Sequence, residues 1–237
     1  MACPVAASTA RASGAARVLI VGDSMIAGGF GVFLERALVE DGYGVKRRGK
    51  SSSGLARPDF FDWQQEARHL AKAAPFDAAV LMFGGNDVQG LRMPDRSWIR
   101  WHDEGWSGEY AARVARLCDT LSPRGQQIFW VGMPVVRPEK MRSRVERVNT
   151  IFRAEMAIRR GAHFVDTWHL FADEQGGYSD RLTVETLRDD GSVRRQRVRM
   201  RAGDGVHLTT AGAHYLKDHV RGVILEALPA VAPASQG

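Results

Sequence analysis

Three short polar segments of the chain contain the residue types that nucleophilic catalysis requires. Gly22-Asp23-Ser24 and Gly84-Gly85-Asn86-Asp87 each follow an apolar run, and Asp204-x-x-His207 precedes a helical pattern. A serine nucleophile needs a base within about 3 Å to accept its proton, a carboxylate to orient that base, and donors for the developing oxyanion. Together the three segments supply a serine, a histidine, an aspartate and a neutral amide for these four roles.

Taken singly, each segment also has a structural explanation. Ser24 is of a type that caps helix N-termini, and the composition of 84–87 is typical of a turn. His207 alone is compatible with a hydrogen-bonded surface residue. A catalytic function therefore requires a fold that brings the three segments together.

Alternation of short apolar runs with longer amphipathic segments predicts the α/β class. We expect strands at 18–21, near Val45, at 78–83, at 128–131 and at 164–165, and helices at 30–40, 61–73, 108–121, 139–160 and 210–228. Strands that are apolar on both faces favour a parallel sheet covered by helices on both sides. Because ligands bind beyond the carboxyl ends of such strands, the polar segments are expected at one edge of the sheet.

The segment 182–200 departs from this alternation. Its apolar and polar residues alternate around a turn at 189–191, which predicts an inserted β-hairpin. Arg195, Arg197, Arg199 and Arg201 would share one face of a strand. That face could contact an acidic glycan, a lipid headgroup or nucleic acid, or it could be a solvated face that discourages edge pairing.

Composition limits the class of protein. The chain has 237 residues, 44% hydrophobic and 25% charged, which is typical of one globular domain or at most two small ones. With two cysteines, the chain cannot form a disulfide framework or a multi-cysteine zinc site. The sequence contains no run of about 18 apolar residues, so it predicts no membrane span. We expect flexible tails at 1–16 and 229–237 around a folded unit at 17–228. The first tail lacks the apolar core of a secretory signal.

The polar segments resemble the blocks of the SGNH, or GDSL, superfamily of serine esterases and acyltransferases. Gly22-Asp23-Ser24 resembles the first block, Gly54 the second, Gly85-Asn86-Asp87 the third and Asp204-x-x-His207 the last, in the family's order. The resemblance implies a three-layer α/β/α, flavodoxin-like fold with about five parallel strands. The segment 53–63 further resembles a bacterial branch of this superfamily, the DUF459 family.

The resemblance also assigns roles to residues. Ser24 would be the nucleophile, His207 the general base and Asp204 its orienting carboxylate. The oxyanion hole would consist of the backbone N–H groups of Ser24 and Gly54 and the amide of Asn86. This chemistry needs no cofactor, and the family favours a periplasmic or exported location.

The sequence lacks the motifs of other catalytic classes. The position two residues after Ser24 is Ile26, so the Gly-x-Ser-x-Gly elbow of α/β-hydrolases is absent. The chain contains no His-Glu-x-x-His metal motif and no glycine-rich phosphate loop followed by Lys-Ser or Lys-Thr. We therefore expect no metal site.

The loop 88–107 is the candidate for substrate recognition. Its indoles and one of its arginines would bind a small-molecule or polysaccharide ester, including an anionic one; they are Trp98, Trp101, Trp106 and Arg92. Asp23, beside the nucleophile, would contribute to the same binding surface. The alternative is that the tryptophans pack on the body of the protein. A short acyl group, such as acetyl, on a cell-envelope carbohydrate is the preferred substrate. Two alternatives remain: an O-acyltransferase with the same triad, and a non-catalytic module that binds a glycan or a partner protein. Binding of nucleic acid is suggested only by the net charge of +6.

Overall fold

The computed structural model describes residues 15–188 and 190–229, so the expected tails at 1–16 and 229–237 lie almost entirely outside the described residues. In chain order the strands are β1 (Arg17–Gly22), β2 (Gly44–Gly49), β3 (Ala78–Met82), β4 (Leu91–Arg92), β5 (Trp98–Ile99), β6 (Gln127–Val131), β7 (Ala162–Val165), β8 (Arg181–Leu187) and β9 (Val193–Arg199). The helices are α1 (Ser24–Ala27), α2 (Gly29–Glu40), α3 (Trp63–Ala73), α4 (Trp106–Leu121), α5 (Glu139–Ala157) and α6 (Thr210–Ala227). Every predicted strand and helix is present among them.

Five strands form one parallel sheet in the order β2-β1-β3-β6-β7. Strand β1 lies between β2 and β3, with Val18 opposite both Val45 and Ala78. All five residues of β3 are buried, as expected for a central strand with helices on both faces. This arrangement confirms the predicted three-layer α/β/α class with five parallel strands.

Two hydrophobic clusters cover the two faces of the sheet. On one face, α2 and α6 pack against alternate strand residues through Phe30, Leu34 and Leu216. On the other face, α3, α4 and α5 pack through large aromatic residues that include Trp63 and Tyr110. Because successive strand residues point to opposite faces, the apolar runs of the sequence supply both clusters at once.

Local capping explains where one helix begins differently from the prediction. Helix α3 was expected from Phe61 but begins at Trp63, because the Asp62 side chain accepts hydrogen bonds from the N–H groups of Gln64 and Gln65. An aspartate at this position satisfies backbone donors that have no partner inside the helix.

The predicted hairpin is formed by β8 and β9, which pair antiparallel from Arg181 opposite Arg199 to Leu187 opposite Val193. A smaller antiparallel pair, β4 and β5, lies within the loop after β3. Within 15–188 and 190–229, no helix is both long enough and apolar enough to cross a membrane.

Candidate active site

The polar segments lie at the carboxyl edge of the central strands. Ser24 follows β1 and Asn86 follows β3, and these two strands are neighbours in the sheet. The third segment is the loop before α6, which carries Asp204 and His207. The structure thus places Ser24 and His207 in contact although 183 positions separate them in the sequence.

Ser24 is the first residue of the short helix α1. The cap of this helix is Asp23, whose Oδ1 accepts a hydrogen bond from the Met25 N–H at 3.0 Å. Asp23 therefore caps the helix, and capping, the structural explanation considered for Ser24, does not apply to Ser24. As the first helical residue, Ser24 carries a backbone N–H that has no acceptor within the helix.

Serine, histidine and aspartate form one hydrogen-bonded relay. Ser24 Oγ lies 3.0 Å from His207 Nε2, and His207 Nδ1 lies 2.6 Å from Asp204 Oδ2. A proton on Nδ1, donated to the carboxylate, leaves Nε2 free to accept the hydrogen of the serine hydroxyl. The three side chains can therefore pass a proton from Ser24 to His207.

Asp204 is held in place by the backbone of its own loop. Its Oδ1 accepts hydrogen bonds from the N–H groups of Val206, at 2.9 Å, and His207, at 3.0 Å. Partial burial disfavours the charged carboxylate, but the hydrogen bonds from the His207 side chain and from these N–H groups outweigh it and lower the pKa of Asp204 to about 2. The group that orients His207 is thus a carboxylate at neutral pH.

Arg201 packs against the loop that carries Asp204. This position corrects the prediction that Arg201 lies on the arginine face of the hairpin. Strand β9 ends at Arg199, and the Arg201 side chain is fully buried. Its guanidinium donates to the carbonyls of Val206, at 3.0 Å, and Val135, at 2.5 Å, and lies 4.8 Å from the centre of the Phe171 ring. Burial lowers the pKa of Arg201 to about 10, so the side chain remains cationic at neutral pH.

Asn86 and Gly54 lie on two adjoining loops that are joined by a hydrogen bond. The Asn86 Nδ2 group donates to the carbonyl of Ser53 at 2.9 Å, beside the Ser53–Gly54 peptide. A Cβ atom on Gly54 would collide with the Asp87 carboxylate, so only glycine fits there. Because an amide nitrogen carries two hydrogens, Asn86 retains one that is not donated to the Ser53 carbonyl.

Asp87 ties these loops together, a role that the sequence motif did not reveal. Its buried carboxyl group accepts hydrogen bonds from the Ala56 N–H at 2.7 Å and from the Tyr110 hydroxyl at 2.8 Å. Burial raises its pKa to about 6, although these donors and the Arg113 guanidinium favour the charged form. Arg113 itself donates to the Leu55 carbonyl at 2.8 Å. Tyr110 and Arg113 lie on α4, and their sequence context gave no signal of a link to the site.

Asp23 is buried, which corrects its predicted role in substrate binding. The side chain is 2% exposed and serves as the cap of α1. Burial raises the pKa of Asp23 to about 7, with a further contribution from the negative charge of Asp87. The group therefore faces the protein interior behind Ser24.

The tryptophans of the loop 88–107 divide into core and surface residues. Trp106 is fully buried and donates its Nε1–H to the Gln89 carbonyl at 2.7 Å, and Trp101 is also buried. Neither can serve as the predicted substrate-facing surface, because each packs in the cluster around α4. Trp98 is 46% exposed and lies about 5 Å from the guanidinium carbons of Arg57 and Arg92.

A cavity of about 270 Å³ opens beside the relay. Ser24 and His207 line it together with Gly28, Gly29 and Phe33 from the start of α2. The Phe33 ring stacks on His214, with ring centres 3.9 Å apart. The two glycines keep this side of the cavity free of side chains, so a small group can approach Ser24.

In the part of the chain that the structure describes, no cluster of three or more His, Cys, Asp or Glu side chains could hold a metal ion.

Comparisons with known proteins agree with this architecture. Residues 17–222 match a family described as "Protein of unknown function (DUF459)", as the segment 53–63 suggested. No curated protein matches the sequence. A carbohydrate acetylesterase family member from Sinorhizobium meliloti has a similar structure, with a TM-score of 0.60 and 17% identity over 90% of this chain and 99% of that one.

Two further structures are similar. A GDSL-like lipase from Bacteroides thetaiotaomicron has a TM-score of 0.58 and 13% identity, over 90% of this chain and 89% of that chain. A catalytic mutant of an acetylxylan esterase from Geobacillus stearothermophilus has a TM-score of 0.57 and 19% identity, over 90% of this chain and 94% of that chain. At these identities the similarity establishes a shared fold.

Proposed function

The chain belongs to the DUF459 family, and on that premise we propose that it is a serine esterase that removes short acyl groups through a Ser24 acyl-enzyme. The observation that carries the proposal is the continuous relay from Ser24 Oγ through His207 to Asp204, with heavy-atom distances of 3.0 and 2.6 Å. Either distance alone is common on protein surfaces. Their combination, at the carboxyl edge of a parallel sheet, is what activates a serine nucleophile.

We assign a residue to each step of the reaction. His207 Nε2 takes the proton of Ser24 as Oγ attacks the ester carbonyl, and the same proton is then returned to the leaving alcohol. Water then attacks the acyl-enzyme and loses a proton to Nε2, and Nε2 passes that proton to Ser24 Oγ as the carboxylic acid is released. Asp204 remains ionised and stabilises the imidazolium that forms in both half-reactions.

Three donors would bind the oxyanion of each tetrahedral intermediate. They are the N–H of Ser24 at the start of α1, the N–H of Gly54 and the free hydrogen of the Asn86 amide. Donors of this kind are fixed before the reaction begins and are worth most when they face the charge that develops in the transition state. The buried Asp87 carboxyl group holds the 54–56 segment against Asn86 and so maintains their alignment.

Exposure of the relay favours hydrolysis over transfer to a second alcohol. The side chains of His207 and Asp204 are each about half exposed, at 49% and 48%. Solvent water can therefore approach these two side chains beside Ser24. An acyltransferase with the same triad would have to exclude this water to protect its acyl-enzyme.

The size of the cavity and an exposed indole on the loop after β3 support a short acyl group on a carbohydrate. The cavity of about 270 Å³ beside Ser24 is small, and its wall at Gly28 and Gly29 lacks side chains. Trp98 offers an exposed indole, and Arg92 adds positive charge beside it. A sugar can pack on an indole and an anionic group can bind arginine. Two of the similar structures are those of a carbohydrate acetylesterase family member and an acetylxylan esterase, which agrees with an acetyl ester. We place this ester on a carbohydrate of the cell envelope.

Hydrolysis of p-nitrophenyl acetate, butyrate and octanoate tests this proposal. We expect turnover that falls as the acyl chain lengthens and that is lost in Ser24→Ala. The matched control is Ser143→Ala, which removes an exposed serine on α5 and should leave turnover unchanged. Labelling of the wild-type protein by a fluorophosphonate, with the added mass on the peptide that contains Ser24, would identify the nucleophile.

Two outcomes would contradict the proposal. Absence of turnover and labelling in a protein whose circular dichroism shows the native fold would favour a non-catalytic binding module. Formation of an ester with an added alcohol, faster than release of the free acid at equal occupancy, would instead favour the O-acyltransferase.

A further inference from the structure

At its base, the β8–β9 hairpin has one face that packs on the protein and one that is free, whereas near the turn both faces are exposed. Leu182, Val184 and Val198 alternate along the strands and pack partly buried against the core under α2 and α6. The residues between them point the opposite way and are exposed along both strands. We call this second set the free face; its members are Arg181, Thr183, Glu185, Leu187, Val193, Arg195, Arg197 and Arg199.

The free face combines positive charge with an apolar tip. Leu187 and Val193 are directly paired at the end of the hairpin and are 73% and 55% exposed. Behind them lie Arg195, Arg197 and Arg199, spaced along one strand at about 7 Å intervals. Leu187 and Val193 thus form a small exposed apolar pair next to the arginines of the same face.

Internal ion pairs neutralise only part of this positive charge. Arg195 pairs with Glu185 at 2.7 Å, and Arg199 lies 3.9 Å from Asp180. Arg197 forms no ion pair with any residue in the described part of the chain. The sequence 181–199 contains six arginines against three carboxylates, an excess of three positive charges and half of the net charge of +6.

We propose that the free face of the hairpin docks on an anionic lipid membrane. The arginines would bind lipid phosphates, while Leu187 and Val193 enter the boundary between headgroups and acyl chains. An anionic polysaccharide fits less well, because it offers no apolar phase for these two side chains. The strands also lack an aromatic ring on which a sugar could pack.

The position of the hairpin links this surface to the candidate active site. Strand β9 ends at Arg199, and the chain then passes through Met200 and Arg201 directly into the loop that carries Asp204. A hairpin held at a membrane would keep that loop close to the surface. The membrane proposal nevertheless rests on the free face alone and is independent of the esterase chemistry.

Co-sedimentation of the full chain with lipid vesicles tests the proposal. We expect binding to vesicles of phosphatidylcholine mixed with phosphatidylglycerol, weak binding to phosphatidylcholine alone, and a decrease with added salt. Replacement of Arg195→Ser with Arg197→Ser should weaken binding by about fivefold for each arginine. The pair Leu187→Ser with Val193→Ser should weaken vesicle binding while preserving retention on a soluble polyanion.

A control with the same change of charge separates the hairpin from the overall charge. Arg36→Ser with Arg68→Ser removes two exposed arginines from α2 and α3 and should leave vesicle binding nearly unchanged. An equal loss in this control would overturn the proposal, as would absence of binding to anionic vesicles. Binding to polygalacturonate without binding to vesicles would assign the free face to polysaccharides instead. Thermal melting of each variant checks that the fold is intact.

Discussion

At the scale of single residues, Asn86 connects two parts of the proposed oxyanion hole. One hydrogen of its amide is donated to the Ser53 carbonyl, and this bond fixes the rotamer in which the second hydrogen can face Ser24. Asp87, the next residue, fixes the facing loop through the Ala56 N–H. Neighbouring residues of one turn therefore position both the side-chain donor and the backbone donor of Gly54.

Replacement of Asn86→Ala is expected to lower kcat for p-nitrophenyl acetate by about 10²- to 10³-fold, because it removes one oxyanion donor. KM should change little, since the donor acts mainly in the transition state. Steady-state kinetics on both proteins would measure this effect.

A suitable control is Gln89→Ala, which removes a side chain of the same turn that donates only to the Asn86 carbonyl. We expect its kcat to remain within about threefold of wild type, because no oxyanion donor is lost. A similar loss in both variants would show that the effect arises from distortion of the turn and not from the amide.

At the scale of elements, the two helices that follow β1 are packed unusually closely. A Cβ atom on Gly31, in the first turn of α2, would collide with the carbonyl of Ile26 in α1. This close approach lets α2 turn away directly after the Ser24 helix and cover the sheet. The glycine is therefore fixed by packing, although alanine is the better helix former.

Gly31→Ala is expected to destabilise the protein, because the steric conflict exceeds the gain of roughly 1 kcal/mol in helix propensity. Gly222→Ala in α6 is the matched substitution, since nothing lies within 4 Å of its added Cβ atom. We expect Gly222→Ala to increase the free energy of unfolding by about 0.5–1 kcal/mol. Urea denaturation of both variants would measure the two effects, and equal signs would contradict the packing argument.

Loops at the site depend on buried arginines that belong to other elements. Arg113 of α4 donates to the Leu55 and Arg92 carbonyls, and Arg201 donates to the Val206 carbonyl. Each guanidinium thus donates hydrogen bonds to loop carbonyls, which would accept them from backbone N–H groups in a helix or a strand. Its planar set of donors suits this task, because several carbonyls can be bound at once.

At the scale of the whole molecule, the buried carboxyl group of Asp23 couples stability to pH. Its pKa is raised from 3.8 to about 7, chiefly by burial. The folded state therefore binds a proton between these pH values that the unfolded state releases. The contribution of this group to stability is greatest below pH 3.8 and is lost as the pH rises to about 7.

Asp23→Asn keeps an acceptor for the Met25 N–H but cannot ionise. The free energy of unfolding of this variant, relative to wild type, is expected to increase by up to ~4 kcal/mol between pH 4 and pH 8. Chemical denaturation of both proteins at several pH values would measure the difference. A difference that is constant across this range would show that Asp23 ionises normally.

The order of strands and helices could be predicted from the sequence because it depends on local periodicity. Runs such as Val18–Val21 are apolar at every position, and the amphipathic segments repeat at helical spacing. The alternating segment 182–200 likewise predicted the hairpin. The topological rule for parallel sheets then placed Ser24 and Asn86 at one edge without any distance being known.

Burial and contacts between distant parts of the chain could not be predicted in this way, because they depend on how the elements pack. Trp98 and Trp106 have similar sequence surroundings, yet one is exposed and the other lies in the core around α4. Arg201 continues the spacing of the arginines before it, but the strand ends and its side chain is buried. Asp23 precedes the nucleophile in sequence and nevertheless points inward. Periodicity reports the direction of a side chain relative to its own element, whereas its surroundings depend on the elements that pack against it.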